Sequence, residues 1–523
     1  MLRKIPHTMS TQHPDNACTP HWCREDVLKG DAEVYEAYFA YSTLGCQEVM
    51  WDSEGKDADT RVIRKLLANL GAYFKENVLG RDIFLTYRIP NPRVEIAEQK
   101  IVVETLQNVP VGCDVASAFY KQEVAPIFEV ILPFTVDSNE LICLYNYYKK
   151  AVVGVQDIDL TDSVKIKDWI GSFKPSCIEL IPLVEDMEGL LKVDKIVEPY
   201  IDSVKPTYMR AFIARSDPAL NYGLVSAMIL SKIALSKLKE IEKNKEILIY
   251  PILGVGTMPF RGHLSPANLN NFLNEYKGVY TATIQSGLKY DFPVEDVKNV
   301  VKVLNDKLPN GEAHLIKAAE EEILLRILEK FKTKYQMIIE DLAPLISSVV
   351  PYIPKRRARK LHIGLFGYSR NVAGITLPRA ITFAASLYSL GLPPEFIGLE
   401  ALNYLTEEEW SVLKRYYVNL QSDLNAVCGY LSWQNFNMLM EMCHVVAKRA
   451  GMEEDRLKSG LSKLLADLQA VEEQMGIKLG SINLSQRKYE NTVNNFLISY
   501  IEQNHEKAKE HLEEAARLRK SLG

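Results

Sequence analysis

The sequence has 523 residues, with 62 Lys and Arg against 67 Asp and Glu, so its formal net charge is −5. Apolar residues make up 47% and charged residues 25%, as in ordinary globular proteins, which excludes a mainly disordered or collagen-like chain. The net negative charge argues against general nucleic-acid binding, because such binding needs an excess of Lys and Arg to replace phosphate counterions.

No apolar run in the sequence reaches the roughly 18 residues that a membrane-spanning helix needs. The first residues, MLRKIPHT, carry positive charge but no apolar stretch follows them, so we expect no signal peptide. We therefore predict a cytoplasmic protein that binds neither membranes nor nucleic acid.

The N-terminal segment contains the string MSTQHPDN at positions 9–16, in which a histidine lies beside a proline. No helical period explains His13 as a core residue, so we interpret it as a general acid or base that acts near neutral pH. Metal binding is the alternative, because His13, Cys18, His21 and Cys23 lie close together in the sequence. Their spacing matches no common zinc site, which favours the acid–base interpretation.

Eight short apolar segments, rich in β-branched residues, then recur between longer amphipathic stretches. Several are apolar on both faces, as buried parallel strands are. The predicted strands are 45–52, 82–89, 128–135, 177–185, 207–215, 246–255, 279–286 and 360–368.

The stretches between these segments predict helices. Residues 60–77 have apolar side chains at helical spacing, and a helix over 219–238 follows Asp217-Pro218, a capping residue and a first-turn proline. We predict one more connecting helix near 377–390 and an entirely helical region after it.

Strands that alternate with helices predict an α/β fold, a closed (β/α)₈ barrel of the TIM type with additional α-helices. An open doubly wound sheet is the second candidate. We divide the chain into an N-terminal catalytic segment of about 1–44, a barrel of about 45–392 and a helical C-terminal extension of about 393–523.

A barrel of this type holds its catalytic groups at the carboxyl ends of its strands. The residues at or just beyond the predicted strand ends are Asp52, Arg88, Glu185, Arg215, Asp217, Arg261, Gln285 and Arg370. Carboxylates on adjacent strands can bind a hard divalent cation, and arginines bind phosphate and carboxylate groups through paired hydrogen bonds. A helix cap explains any one of these residues, but the whole set predicts a small phosphorylated, carboxylated anion beside Mg²⁺ or Mn²⁺.

The glycine-rich segment GVGTMPFRGH at 254–263 follows the sixth predicted strand. Its backbone N–H groups and Arg261 could bind a phosphate, but the segment is neither a GxGxxG motif nor a P-loop. A tight turn explains it equally well.

Taken together, the string STQHPDN at 10–16, the strand ends and Phe260-Arg261-Gly262 resemble phosphoenolpyruvate carboxylase of the short, archaeal type. The resemblance extends over nearly the whole chain. It implies a (β/α)₈ barrel with added helices, dependence on Mg²⁺ or Mn²⁺, and a homotetramer. The implied reaction converts phosphoenolpyruvate and bicarbonate to oxaloacetate and phosphate, through carboxyphosphate and metal-bound enolpyruvate.

The resemblance also implies roles for particular residues. His13, Arg261 and Arg88 correspond to catalytic residues, and Glu185 and Asp217 correspond to the metal ligands. The residues assigned to substrate binding are Arg370, Arg379, Arg215 and Gly262.

The sequence departs from the longer enzymes of this family in the glycine-rich segment. Their segment begins His-Gly-Arg-Gly-Gly, where this sequence has Leu253-Gly254-Val255-Gly256. One family histidine and one family arginine are thus missing here. Two alternatives to the carboxylase interpretation stay open. One is another metal-dependent enolate lyase or aldolase on a TIM barrel, and the other is a non-catalytic protein that binds a metabolite.

Overall fold

The computed structural model describes residues 4–360, 363, 370–372 and 375–523, and of residues 370–372 and 375 it describes the backbone alone. Eight parallel strands form a closed barrel, which confirms the predicted TIM-type fold and excludes the open doubly wound sheet. In barrel order the strands are β1 (Thr8–Ser10), β10 (Thr281–Ile284), β9 (Ile249–Gly254), β8 (Met209–Ala214), β7 (Glu179–Val184), β4 (Glu129–Leu132), β3 (Phe84–Arg88) and β2 (Glu48–Asp52).

The strand that closes the barrel differs from the prediction. β1 pairs with β10 on one side, where Met9 lies opposite Thr283, and with β2 on the other, where Met9 lies opposite Glu48. β1 thus takes the place in the barrel that was predicted for the strand 360–368, of which only residues 360 and 363 lie within the described residues. The other seven predicted strands each contain one barrel strand.

The prediction missed β1 because three residues are too few to show a strand period, whereas KLHIGLFGY at 360–368 is a strong apolar run. The barrel thus takes one strand from the predicted N-terminal segment 1–44. Two antiparallel hairpins lie outside the barrel: β5 (Asp159–Thr161) with β6 (Val164–Lys165), and β11 (Arg370–Val372) with β12 (Ile375–Leu377).

Besides a π-helix, Tyr148–Val153, and short 3₁₀ segments, α-helices connect and surround the barrel strands. Up to residue 390 they are Asp31–Ser42, Val62–Asn69, Gly71–Glu76, Ile101–Tyr120, Ser138–Tyr147, Ile166–Ile170, Met187–Leu191, Val193–Val204, Ser216–Tyr222, Leu224–Lys245, Leu269–Glu275, Ser286–Tyr290, Val294–Lys307, Ala318–Val349 and Ala380–Ser389. Beyond it they are Glu407–Tyr416, Leu420–Val427, Trp433–Glu441, Cys443–Ala450, Glu454–Met475, Leu484–Ile501 and His505–Arg519. Residues 393–523 contain no strand, as predicted.

Three predicted helices differ in their bounds. The helix predicted over 60–77 is two helices that meet at Leu70. The helix predicted over 219–238 begins at Ser216 and breaks at Gly223, where φ is 87°. The helix predicted near 377–390 begins at Ala380, because Leu377 belongs to β12. Within the described part of the chain, no helix is both long and apolar enough to cross a membrane.

The inside of the barrel is apolar in its middle and charged at its amino end. The apolar group is Met9, Met50, Ile131, Ile181, Leu183, Phe212, Ala214 and Ile252. At the amino end, the buried Arg210 guanidinium lies 2.6 Å from Glu129 Oε2 and 2.8 Å from Glu48 Oε2. Buried charges of this kind need partners, and here they fill the amino end. The carboxyl end is thereby the end that can accept a ligand.

Candidate active site

A cavity lies at the carboxyl ends of the barrel strands, as expected for a TIM barrel. Eight of the predicted site residues line it: His13, Arg88, Glu185, Arg215, Asp217, Arg261, Gln285 and Arg379. Gly262 is the next residue in the sequence after Arg261 and does not line the cavity. Arg370 begins β11, and its side chain lies outside the described residues.

His13 is placed at the cavity by the short strand before it. The Thr11 N–H donates to Ile284 O at 3.0 Å, which extends the β1–β10 pairing, and Thr11 Oγ1 lies 2.9 Å from His13 Nδ1. Burial, and then the positive charges of Arg88 and Arg261, hold the pKa of His13 well below its usual value of 6.5. The imidazole is therefore neutral near pH 7 and can accept a proton.

Arg88 is held by two carboxylates on its neighbouring strand and loop. Its Nε lies 2.8 Å from Asp52 Oδ1, and its Nη2 lies 2.6 Å from Asp52 Oδ2 and 3.1 Å from Glu54 Oε2. Although burial alone would raise the pKa of the Asp52 carboxyl, the adjacent Arg88 guanidinium keeps it well below its usual range. The fork of two hydrogen bonds fixes the plane of the guanidinium at the cavity wall.

The two predicted metal ligands come from neighbouring strands. Glu185 directly follows β7, and Asp217 lies in the first turn of the helix after β8; both line the cavity. The Phe134 N–H donates to Glu185 Oε2 at 2.9 Å, which orients that carboxylate. Two carboxylates, with water and substrate oxygens as the other ligands, fit a hard cation such as Mg²⁺.

The described residues contain no group of three or more His, Cys, Asp or Glu side chains that could hold a metal ion. The alternative zinc site is thus wrong, because His13, Cys18, His21 and Cys23 do not form such a group. Their closeness in the sequence does not become a cluster of ligands in the fold.

Arg261 is buried and contacts four separate parts of the chain. Its Nε donates to Ser216 Oγ at 3.0 Å, and its Nη1 donates to Asp15 Oδ2 at 2.9 Å and to Gly523 O at 2.8 Å. Its Nη2 donates to Gln285 Oε1. The position of this guanidinium is therefore fixed from several directions before any ligand binds.

The glycine-rich segment is a tight turn that presents the Arg261 side chain. The Gly256 N–H donates to Arg261 O at 2.8 Å, and the Leu264 N–H donates to Gly256 O at 2.9 Å. The Arg261 and Gly262 N–H groups also donate within the turn. These N–H groups are therefore not available to bind a phosphate, and Arg261 is the group that the turn offers to the cavity.

Gly262 meets two requirements of this turn. Its φ of 111° lies in the left-handed region that favours glycine, and a Cβ added there would lie 2.5 Å from Val255 Cγ1. No other residue fits this position without displacing the turn.

We expect Gly262→Ala to lower the free energy of unfolding by about 2 kcal/mol or more, since backbone strain and a steric clash act together. Gly451→Ala is the matched control, because Gly451 has a φ of 67° but open space around its Cβ position. The control should lose about 1 kcal/mol from strain alone. Chemical denaturation of both variants measures the difference, and equal losses would contradict the clash.

Arg215 has one buried atom that lacks a partner. Its Nε donates to Tyr276 Oη at 3.3 Å and its Nη2 donates to Leu224 O at 3.2 Å, but its Nη1 has no hydrogen-bond partner among the described residues. Buried polar atoms are nearly always paired, so an anion in the cavity that Arg215 lines is a fitting acceptor.

Arg359 and Glu54 also line the cavity, and neither was predicted from the sequence. Arg379 Nη2 donates to Glu54 Oε1 at 3.0 Å. Burial, and then the nearby Arg379, lower the pKa of Arg359 to about 10. Arg359 belongs to the basic run KRRARK at 355–360, which is visible in the sequence. This run does not follow the carboxyl end of any predicted strand, so the sequence did not indicate that it lies at the cavity.

An eight-stranded parallel barrel, with arginines and the carboxylates of Glu185 and Asp217 in one cavity at its carboxyl end, defines a TIM-barrel enzyme that acts on small anions. The sequence model of the family described as Phosphoenolpyruvate carboxylase matches residues 5–523. This chain belongs to the phosphoenolpyruvate carboxylase family.

Curated relatives over the full length agree with this assignment. Proteins named phosphoenolpyruvate carboxylase from Metallosphaera sedula and Caldivirga maquilingensis are 45% and 46% identical, each over 100% of this chain and 100% of the relative. One from Picrophilus torridus is 43% identical over 100% of both. The predicted resemblance to the family is confirmed.

Proposed function

We propose that this protein carboxylates phosphoenolpyruvate with bicarbonate, forming oxaloacetate and inorganic phosphate. One observation carries the proposal: the cavity combines a neutral histidine, several arginines and the carboxylates of Glu185 and Asp217 at one end of the barrel. The names of the full-length relatives support it over the lyase, aldolase and metabolite-binding alternatives.

The arginines account for the charges of the substrate. Phosphoenolpyruvate has a phosphate and a carboxylate, and planar guanidinium groups bind both through paired hydrogen bonds. We assign Arg88 and Arg261 to the transferring phosphoryl group, where fixed donors stabilise developing negative charge. The residues assigned to substrate binding are Arg215, Arg370 and Arg379, with Gly262 supporting the turn.

Glu185 and Asp217 would hold Mg²⁺ or Mn²⁺ in the cavity. When bound, the metal supplies Lewis-acid stabilisation of negative charge on the substrate oxygens. The Phe134 N–H donates to Glu185 Oε2 and thereby keeps the carboxylate in place for this role. Second partners of this kind orient metal ligands in many sites.

His13 accepts the proton that the reaction must remove. A bicarbonate oxygen attacks phosphorus as the bond from phosphorus to the enol oxygen breaks, which gives carboxyphosphate and the enolate of pyruvate. His13 then takes the carboxyphosphate proton and the C–O bond to phosphate breaks, which releases CO₂. The His13 imidazolium returns that proton to the departing phosphate, so hydrogen phosphate forms and the neutral base is restored. The methylene carbon of the enolate attacks CO₂ to give oxaloacetate, in a cavity that must exclude water because protonation would give pyruvate.

The pH profile should show the lowered pKa of His13. Protonation of the imidazole removes the proton acceptor, so the rate falls as pH decreases through the pKa of His13 in the folded enzyme. Since kcat/KM reports the ionisations of the free enzyme and of the free substrates, the ionisations of phosphoenolpyruvate and bicarbonate are measured separately and removed. We expect the acid limb that remains to lie below pH 6.5. An acid limb at or above pH 6.5, in a range where the protein stays folded, would contradict this assignment.

The assembly and the domain division are further proposals. We propose a cytoplasmic homotetramer, as the family resemblance implies, and light scattering of the protein in solution tests the subunit number. The segment of about 1–44 supplies His13 and Pro14, the part of about 45–392 supplies the remaining cavity residues, and the helices of about 393–523 pack against them.

The proposal is tested by measuring oxaloacetate and phosphate together from phosphoenolpyruvate, bicarbonate and Mg²⁺. We expect equal amounts of both products, and no oxaloacetate when bicarbonate or the metal is removed. Phosphate with pyruvate and no oxaloacetate would contradict carboxylation, although the enolate would still form. No product with any divalent metal would favour the lyase or metabolite-binding alternatives.

A further inference from the structure

His263 follows Gly262 in the turn that carries Arg261, and it has an unusual backbone conformation. Its φ is 61°, in the left-handed region that residues with side chains rarely adopt. Its side chain is nearly buried, and its Nδ1 lies 2.6 Å from Asp423 Oδ1. A strained residue persists only where surrounding contacts hold it, and this contact does so.

Asp423 belongs to the helical C-terminal region and is itself held firmly. It lies on the helix Leu420–Val427, and the buried Tyr417 hydroxyl donates to its Oδ2 at 2.7 Å. The Asn419 N–H, at the start of that helix, donates to Glu275 Oε2 at 2.7 Å. The helix is thus docked against the connection between β9 and β10.

We propose that His263 is a positioning residue for Arg261. Its hydrogen bond to Asp423 fastens the turn at 255–264 to the C-terminal helical region and thereby sets the place of the Arg261 guanidinium in the cavity. This inference rests on the proposed function, because it assigns His263 to the carboxylation step that Arg261 serves.

The geometry separates His263 from direct catalysis. His263 does not line the cavity, whereas Arg261 does. The His263 N–H donates to Met258 O at 3.1 Å, and His263 O accepts from Asn268 Nδ2 at 2.9 Å, so its backbone is part of the turn itself. A shift of about 1 Å in a positioned group can reduce a rate by about a hundredfold.

His263→Gly is the most informative variant. Glycine adopts a φ of 61° without strain, so this change removes the side chain and leaves the backbone conformation allowed. We expect kcat to fall about tenfold or more with a smaller change in KM for phosphoenolpyruvate, since a misplaced Arg261 loses stabilisation in the transition state.

His263→Asn tests for rescue. Asparagine tolerates the left-handed region, and its amide nitrogen is attached at the same branch point as His263 Nδ1. We expect this variant to recover most of the kcat that His263→Gly loses. His444→Ala is the matched control, because His444 Nδ1 also lies near a carboxylate, at 3.1 Å from Glu454, but its side chain is 78% exposed on a surface helix.

Hydrogen exchange of the Gly256 and Leu264 amides gives a readout that does not depend on activity. We expect these amides to exchange faster in His263→Gly than in wild type or His444→Ala, and to slow again in His263→Asn. Unchanged exchange, or wild-type kcat in His263→Gly, would overturn the inference. Faster exchange in a protein whose wild type makes no oxaloacetate would reject the proposed function and keep the structural role.

Discussion

Replacing His13 with Asn is expected to abolish oxaloacetate formation while the binding of phosphoenolpyruvate is retained. Asparagine can keep a hydrogen bond to Thr11 Oγ1, but its amide cannot accept a proton near pH 7. Loss of a positioned general base costs about 10²–10⁴-fold in rate. Steady-state assays of oxaloacetate, together with direct binding of phosphoenolpyruvate, measure the two effects separately.

A matched histidine provides the control for this variant. His444→Asn changes an exposed histidine in the helix Cys443–Ala450, and it should carboxylate at the wild-type rate. Carboxylation by His13→Asn at the wild-type rate would show that His13 is not the proton acceptor. Loss of phosphoenolpyruvate binding in His13→Asn would instead show that His13 helps to hold the substrate.

Arg261→Lys is expected to lower kcat by about a hundredfold or more, although the positive charge is kept. The Arg261 guanidinium contacts Ser216, Asp15, Gln285 and Gly523 from one planar group. An ammonium group cannot meet these partners in the same geometry, so the charge moves away from where the phosphoryl group reacts. Single-turnover formation of phosphate measures the chemical step directly.

The control for Arg261→Lys is a surface arginine. Arg415 has a side chain that is 56% exposed and pairs with Glu320, so Arg415→Lys should leave kcat unchanged. An Arg261→Lys enzyme within tenfold of wild-type kcat would show that charge alone suffices at this position. In that case the several contacts of Arg261 would serve folding and not catalysis.

The strand ends were predictable because barrel strands have a local signal. Seven of the barrel strands lie in short, mainly apolar segments, and several of these segments are apolar on both faces, since one face packs inside the barrel and the other against helices. Arg88, Glu185 and Arg215 follow from these runs by position alone. β1 has only three residues, so its place beside β2 and β10 depends on pairing over long distances in the chain.

The missed parts of the site depend on contacts between distant segments. Arg261 and Gly523 are 262 residues apart, and His263 and Asp423 are 160 residues apart. The spacing of apolar residues along the sequence predicts local helices and strands, but it does not predict contacts between such distant residues. Arg359 was missed for the same reason, because the basic run that contains it reaches the cavity from a connection beyond the last barrel strand. The family resemblance supplied roles for predicted residues but none for these.

The most direct test of the account follows the oxygen atoms of bicarbonate. When ¹⁸O-labelled bicarbonate and unlabelled phosphoenolpyruvate react in unlabelled water, attack of a bicarbonate oxygen on phosphorus places one labelled oxygen in each phosphate formed. The phosphate is collected before bicarbonate has lost its ¹⁸O to water through exchange with CO₂. Mass spectrometry of this phosphate should find one labelled oxygen atom per molecule, and oxaloacetate should form with it. Unlabelled phosphate would show that bicarbonate does not attack phosphorus, and would contradict the proposed reaction at its first step.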